Sequence, residues 1–543
     1  MRRRSLLTAA FVLLLAVAAI VMAGGAGASS SKATDESPDA SGIAPSGMVS
    51  AGAPRIVNVR SATPVATPAR PANAFINRPG IPLSEYLAAK AAAAASHAAA
   101  PGKAPQPLST NTIQGHHELD GENAAGEGTW FPPDINGAVG STQFATITND
   151  HLSVWSKAPS NPVLQCRNTV NTVLNYTGGT AFDPRIEYDT RWNRWVFTTD
   201  SFANSSHIQY LWIAVSLTNN ACGQYYTYAL NLGTDNSNGS FVDYPQLGLS
   251  QDAVIVTFSY FPNASGTGAA QGTRLFAVAK SILYNGQGFS VPIFAPSSGG
   301  TLTPPNVIDQ NPRVHALLEF PGSGNNGTVY NVLFQNLANG SYGSEVSATP
   351  ISGVIAPIPP SAPQPGCSQQ SCMIDTSDGR FINDPTQYDI HLWAANTVAL
   401  GSFSVPHWYD IWTEGANKNT VNQGGYAYMA NNSFDWNASI AALAGGRAIM
   451  TASWDDATAT NPSMWMTGRI PTDAANAINQ PTNVYTSPST LTGNYDSRFG
   501  VQRWGDTSSV RFEAGTARAW AFNETVQSGG SQWSSHEGVL SLS

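Results

Sequence analysis

The chain has 543 residues, a formal charge of −9, a pI near 5.4, and only 11% charged residues. An ordinary globular chain carries about 25%, so long charged surface helices and coiled coils are disfavoured. The 26 Lys and Arg form no basic stripe beyond residue 4, which excludes the electrostatic footprint of a nucleic-acid partner.

Arg2, Arg3 and Arg4 precede a nearly unbroken apolar run from Leu6 to Met22, and Ala26-Gly27-Ala28 supplies the small residues of a cleavage site. Residues 1–28 therefore read as a signal peptide. Arg3-Arg4-Ser5-Leu6-Leu7 is similar to a twin-arginine signal, without the usual Ser or Thr before the pair. A retained anchor is the alternative, since the run nears the roughly 17-residue lower limit for a span. No later run is as long, so the mature chain is expected to lack a membrane span and to act outside the cell or at its surface.

Residues 29–110 are rich in Ala, Pro, Ser and Gly and read as a linker. Within it, Ser84 could cap a helix running through Tyr86 and the alanines 91–95 towards Pro101. So little apolar side chain predicts a marginal helix on a mobile arm.

From about residue 110 the text becomes short β-branched and aromatic runs separated by Gly, Asn, Asp and Pro, as in Val254-Ile255-Val256-Thr257-Phe258. The body, 111–543, is expected to be all-β. A unit recurs: an Asp in a turn, then two or three strands. Asp134, Asp183, Asp243, Asp309, Asp375, Asp435 and Asp506 mark it at steps of 49 to 71 residues. Propeller blades need roughly 40–45 residues plus loops, so the markers predict a β-propeller of seven blades, with six or eight open. A strand near 111–130 would complete the short last unit and close the ring. Two stacked sandwiches are the rival, but they give no reason for regular spacing.

Four cysteines in an exported chain favour disulfides over metal. Cys367 and Cys372 enclose a turn-sized loop, which leaves Cys166 with Cys222.

Trp130-Phe131-Pro132-Pro133-Asp134-Ile135-Asn136-Gly137-Ala138-Val139-Gly140 resembles the opening signature of a group of exported bacterial β-propeller proteins. Their D-P-R-x-x-Y-D, D-Y-P-x-L-G and R-W-G-D units are matched by Asp183–Asp189, Asp243–Gly248 and Arg503–Asp506. The resemblance implies a propeller and secretion, and no reaction.

Entry turns of blades converge on one mouth of a channel, so the marker aspartates could form a ring. Such a ring could hold Ca²⁺, which takes 6–8 oxygen ligands. Two of Asp134, Asp183, Asp243, Asp375 and Asp506 could instead serve a glycoside hydrolase. Capping of tight turns is the structural reading and suits recurrence at every blade. Arg185, Arg313, Arg380, Arg498 and Arg503 stand close behind these turns, and Arg185 and Arg313 are ligand-binding candidates, although Arg185 could simply pair with Asp183 or Glu187. Trp195, Trp212, Trp393, Trp465 and Trp520 sit in strands and should pack between blades. Trp130, Trp436, Trp454 and Trp504 flank turns and could present an indole to a sugar. The expectation is an exported, monomeric propeller that binds an extracellular glycan or protein at its mouth, with a glycan-active enzyme as the alternative.

Overall fold

The computed structural model describes residues 43–66, 79–95, 113–123, 131–157, 162–202, 208–235, 241–262, 270–322, 327–335 and 347–542. The signal-peptide reading and Trp130 lie outside them. Among the described residues no helix is long and apolar enough to cross a membrane.

The body is all-β, in a β-propeller arrangement. Five blades stand as separate sheets: 136–169, 181–235, 301–350, 433–486 and 509–542, each a chain of antiparallel neighbours. The meanders 241–297 and 386–426 belong to one ten-stranded sheet, because the short strand Asn306–Val307 pairs in parallel with both of their first strands. Strand Ile113–Asn123 pairs antiparallel with Trp533–Leu542, at the outer edge of the last sheet.

Successive sheets pack face to face. Val154, Trp195 and Tyr225 share one apolar layer between the first two. The last sheet returns to the first, with Phe144 and Trp520 at 4.9 Å between ring centroids. Second strands such as Ala253–Phe261 and Arg447–Asp456 are therefore covered on both faces and buried almost throughout. Doubly covered strands read as apolar runs rather than alternation. Trp195, Trp212, Trp393, Trp465 and Trp520 are each no more than 4% exposed, packed between sheets as expected.

Three first strands share a local irregularity. Register shifts between Phe182 and Arg185, between Asp243 and Gln246, and between Trp436 and Ser439. Each shift holds a non-glycine residue in the left-handed region: Asp183 at φ 50, Tyr244 at φ 56 and Asn437 at φ 55. Bulges of this kind bend a strand and re-aim side chains. Here they turn the entry residues towards the shared end.

Parts of the segment that reads as linker belong to the body. Pro45–Ala51 pairs with Phe289–Ser297, and Arg55–Asn58 with Gln224–Asp235. The helix forms over Leu83–Ala95, two residues earlier than the Ser84 cap implied, and it is docked rather than a mobile arm. Tyr86 is 1% exposed and packs with Ile358, Phe499 and Val501.

Both disulfides form as paired from the sequence. Cys166–Cys222 ties the outer strand of the first sheet to a turn of the second.

Candidate functional site: the entry-turn mouth

Asp134 occupies the turn before the first sheet, at φ 47. Its carboxylate accepts Asn149 Nδ2–H at 2.6 Å and the backbone N–H of Asp506 at 2.6 Å. Asn149 in turn accepts the backbone N–H of Asp183 at 2.6 Å. Asp134 is thus a brace between entry turns, where the structural reading expected a cap within its own turn.

Asp183 differs. It keeps partial exposure, and Asp243 is its neighbouring carboxyl. Burial pushes the Asp183 pKa well up, and the charges of Asp243, Asp134 and Asp506 push it further. Asp200, wholly buried, is also raised, by burial first and by Asp243 second. Asp506 is raised to about 6 by burial, against the opposing charge of Arg503, whose Nη2 lies 2.9 Å away.

Arg185 reaches the same centre. Burial lowers its pKa, while Asp384, Asp183, Asp134 and Asp506 favour its charge. Although 4% exposed, its guanidinium makes one hydrogen bond among the described residues, Nε to the Pro245 carbonyl at 3.4 Å. Nη1 has no partner. The expected pairing of Arg185 with Glu187 is not made. Glu187 takes Arg511 Nε at 2.9 Å, and Arg511 Nη2 also meets Asp384 at 2.9 Å. Asn306 Nδ2 bridges Glu187 and Asp384 at 2.8 and 2.7 Å. Burial raises Glu187 to about 8, against Arg511.

Arg380 stacks on the Tyr244 ring at 4.5 Å and donates to Asp378 at 2.6 Å. Gly505 lies so close to its neighbours that a Cβ would come within 2.7 Å of Glu524 Oε2, the atom that accepts the Gly505 N–H. The R-W-G-D unit needs its glycine for that approach.

The docked helix covers one side of the mouth. Tyr86 Oη–H donates to Asp375 at 2.6 Å, Lys90 Nζ meets Asp375 at 3.1 Å and Thr376 at 2.7 Å, and Gly80 N–H donates to Asp378 at 2.7 Å. Burial alone would raise Asp375, but Lys90 and Tyr86 outweigh it and hold the carboxyl below its usual range. A cavity of about 20 Å³ remains between Asp375, Arg380, Trp436, Trp504 and Asp506, room for about one water molecule.

Of the seven markers, Asp134, Asp183, Asp243 and Asp506 come together, with Asp375 at the edge. Asp309 and Arg313 do not. They precede the second strand of their sheet, Val314–Phe320, and so lie at the opposite end of the blade. Arg313 pairs there with Glu414 at 3.2 Å and is not a mouth residue. Asp435 accepts Trp465 Nε1–H, Met429 N–H and Ser433 Oγ–H inside its own sheet. Trp436 and Trp504 are no exposed platform: 1% and 3% exposed, they form an edge-to-face pair at 5.4 Å. Trp454 is also buried, its Nε1 on Asn483. Among the described residues no group of three or more His, Cys, Asp or Glu is placed to hold a metal ion, so the calcium ring is not formed. Sequence reasoning missed Tyr86, Lys90, Asn149 and Glu524. Asn149 and Glu524 follow or end second strands, where a polar residue in an apolar run was the available signal.

No family model and no curated protein matches the chain. Among solved structures, an α-L-arabinanase of Penicillium chrysogenum complexed with arabinobiose is 10% identical, with a TM-score of 0.36 over 79% of this chain and 98% of that one. A GH93 α-L-arabinofuranosidase of Fusarium graminearum is 10% identical, at 0.36 over 77% and 97%. A hypothetical selenium-binding protein of Sulfolobus tokodaii is 9% identical, at 0.38 over 65% and 81%. Neither site nor activity transfers at this similarity.

Proposed function

We propose that this chain is an exported, monomeric member of the bacterial propeller group it resembles, and that its entry-turn mouth binds a glycan. In this reading the ring has seven blades, the ten-stranded sheet counting as two, and strand 113–123 closes it. Two disulfides fit the oxidising compartment that export implies.

The supporting observation is the buried Arg185 guanidinium, whose Nη1 has no partner, beside the carboxyls of Asp183 and Asp243. Sugar hydroxyls both donate and accept. Carboxylate oxygens accept and a guanidinium donates, so the two together meet both roles. Catalysis by this pair is the weaker reading. The group this chain resembles implies no reaction, so nothing gives either carboxyl an acid or nucleophile role.

The test is calorimetry of the purified chain against a panel of neutral and acidic polysaccharides. Asp183→Asn and Arg185→Met should each weaken binding about tenfold, a loss of roughly 1.4 kcal/mol, with melting midpoints confirming the fold. Binding indifferent to both substitutions would overturn the proposal. Release of reducing ends that Asp183→Asn abolishes would establish the enzyme instead.

A further inference from the structure

The opposite end of the channel carries a second cavity, of about 390 Å³, floored by the Glu187–Arg511–Asp384 network. Trp192 stands beside it and is 49% exposed, the one tryptophan in the exposed class among the described residues. The ring is fixed on two sides. Its Nε1–H donates to the carbonyl of Gln251, a residue of the cavity wall, at 3.4 Å, and its edge meets Tyr284 at 6.3 Å and 79°. The turn beneath is held by Asp189, whose Oδ1 accepts the N–H groups of Arg191 and Trp192, at 3.1 and 3.2 Å. Exposed Ile308 adds apolar surface to the wall.

The charges of this cavity are nearly all matched. Lys280 pairs with Asp189 at 2.7 Å, Arg511 with Glu187 and Asp384, and Glu513 with Lys157 and Arg518. Arg191 is the exception. Its Nη2 donates to the Asp309 carbonyl at 3.1 Å, and Nε and Nη1 have no side-chain partner among the described residues. One unmatched guanidinium therefore lies next to one presented indole.

We propose that this end binds a pyranose bearing a carboxylate, its C–H face on Trp192 and its carboxylate on Arg191. An indole face stacks on apolar surface and resists wetting there, and the guanidinium fork matches a carboxylate. Its two proposed contacts, Trp192 and Arg191, are not residues of the mouth described above; the Glu187–Arg511–Asp384 network lies between the two sites.

Titration of the full chain with a galacturonate trisaccharide and with a neutral galactose trisaccharide tests the assignment. The acidic sugar binds, Trp192→Ala weakens it about tenfold, and Arg191→Gln removes the preference for acid over neutral sugar. Asp183→Asn leaves this binding unchanged, which separates it from failure of the mouth reading. Arg191 and Trp192 are both exposed, so melting midpoints stay within a degree or two of the parent (surface changes are worth about 0.5 kcal/mol). Absence of binding by the acidic sugar, indifference to Trp192→Ala, or loss through Asp183→Asn alone overturns the assignment.

Discussion

Asp134 accepts the backbone N–H of Asp506 at 2.6 Å across 372 residues of chain, joining the entry turns of the first and last sheets. The same carboxylate holds Asn149, which holds Asp183. Hydrogen bonds to a buried charge are worth roughly 1.5–3 kcal/mol each. Asp134→Ala is expected to cost about 3 kcal/mol in denaturant unfolding, and Asp134→Asn less, because the amide oxygen still accepts one bond. A loss below about 1 kcal/mol for the alanine variant would deny the brace.

Asp183 separates fold from charge. Asparagine tolerates the left-handed region that Asp183 occupies at φ 50, so Asp183→Asn keeps the bulge. Because the folded carboxyl holds its proton above the unfolded value of 3.8, it contributes stability at low pH that is lost as pH rises. Melting curves of the variant should therefore fall less steeply between acid and neutral pH than those of the parent.

Glu187 gives a second, bounded window. Its pKa rises from 4.5 to about 8 on folding, so its contribution is complete below about 4.5 and lost as pH climbs through about 8. Glu187→Gln should flatten the stability profile across that interval. A slope unchanged from the parent would place the titration elsewhere.

The docked helix can be loosened by single atoms. Tyr86→Phe removes the hydroxyl on Asp375 and should cost about 1–2 kcal/mol, read as faster hydrogen exchange over 83–95. Lys90→Ala leaves Asp375 without its ammonium, so the carboxyl pKa rises and the helix protects less. Equal protection in all three proteins would mean that Asp375 does not anchor the helix.

Reduction of Cys166–Cys222 opens a loop with a sequence separation of 56 residues. Chain-entropy arithmetic assigns such a closure about 4 kcal/mol. A Cys166→Ser, Cys222→Ser double variant should melt below the oxidised parent, and reductant should close that deficit by lowering the parent.

The D-P-R unit was legible as an entry turn because few residues accept left-handed backbone and Asp is one of them; in D-Y-P the left-handed residue is Tyr244, which no such rule marks. Asp309 misled for a related reason: an Asp in a turn reads alike at either end of a blade, and only strand order separates the ends. Trp436 and Trp504 could not be assigned from local text, since an indole near a turn packs inward or outward according to what faces it. The helix was legible as a helix. Its docking was not, because two side chains, Tyr86 and Lys90, do most of the holding, and composition averages them away among alanines.

Strands Pro45–Ala51 and Arg55–Asn58 lie against the outermost strands of two meanders. A recombinant form started at residue 110, where the composition changes, would bare those two edges and their unpaired backbone groups. Such edges recruit other chains, so the shortened product would self-associate, and residues 45–58 act as its built-in protection against aggregation.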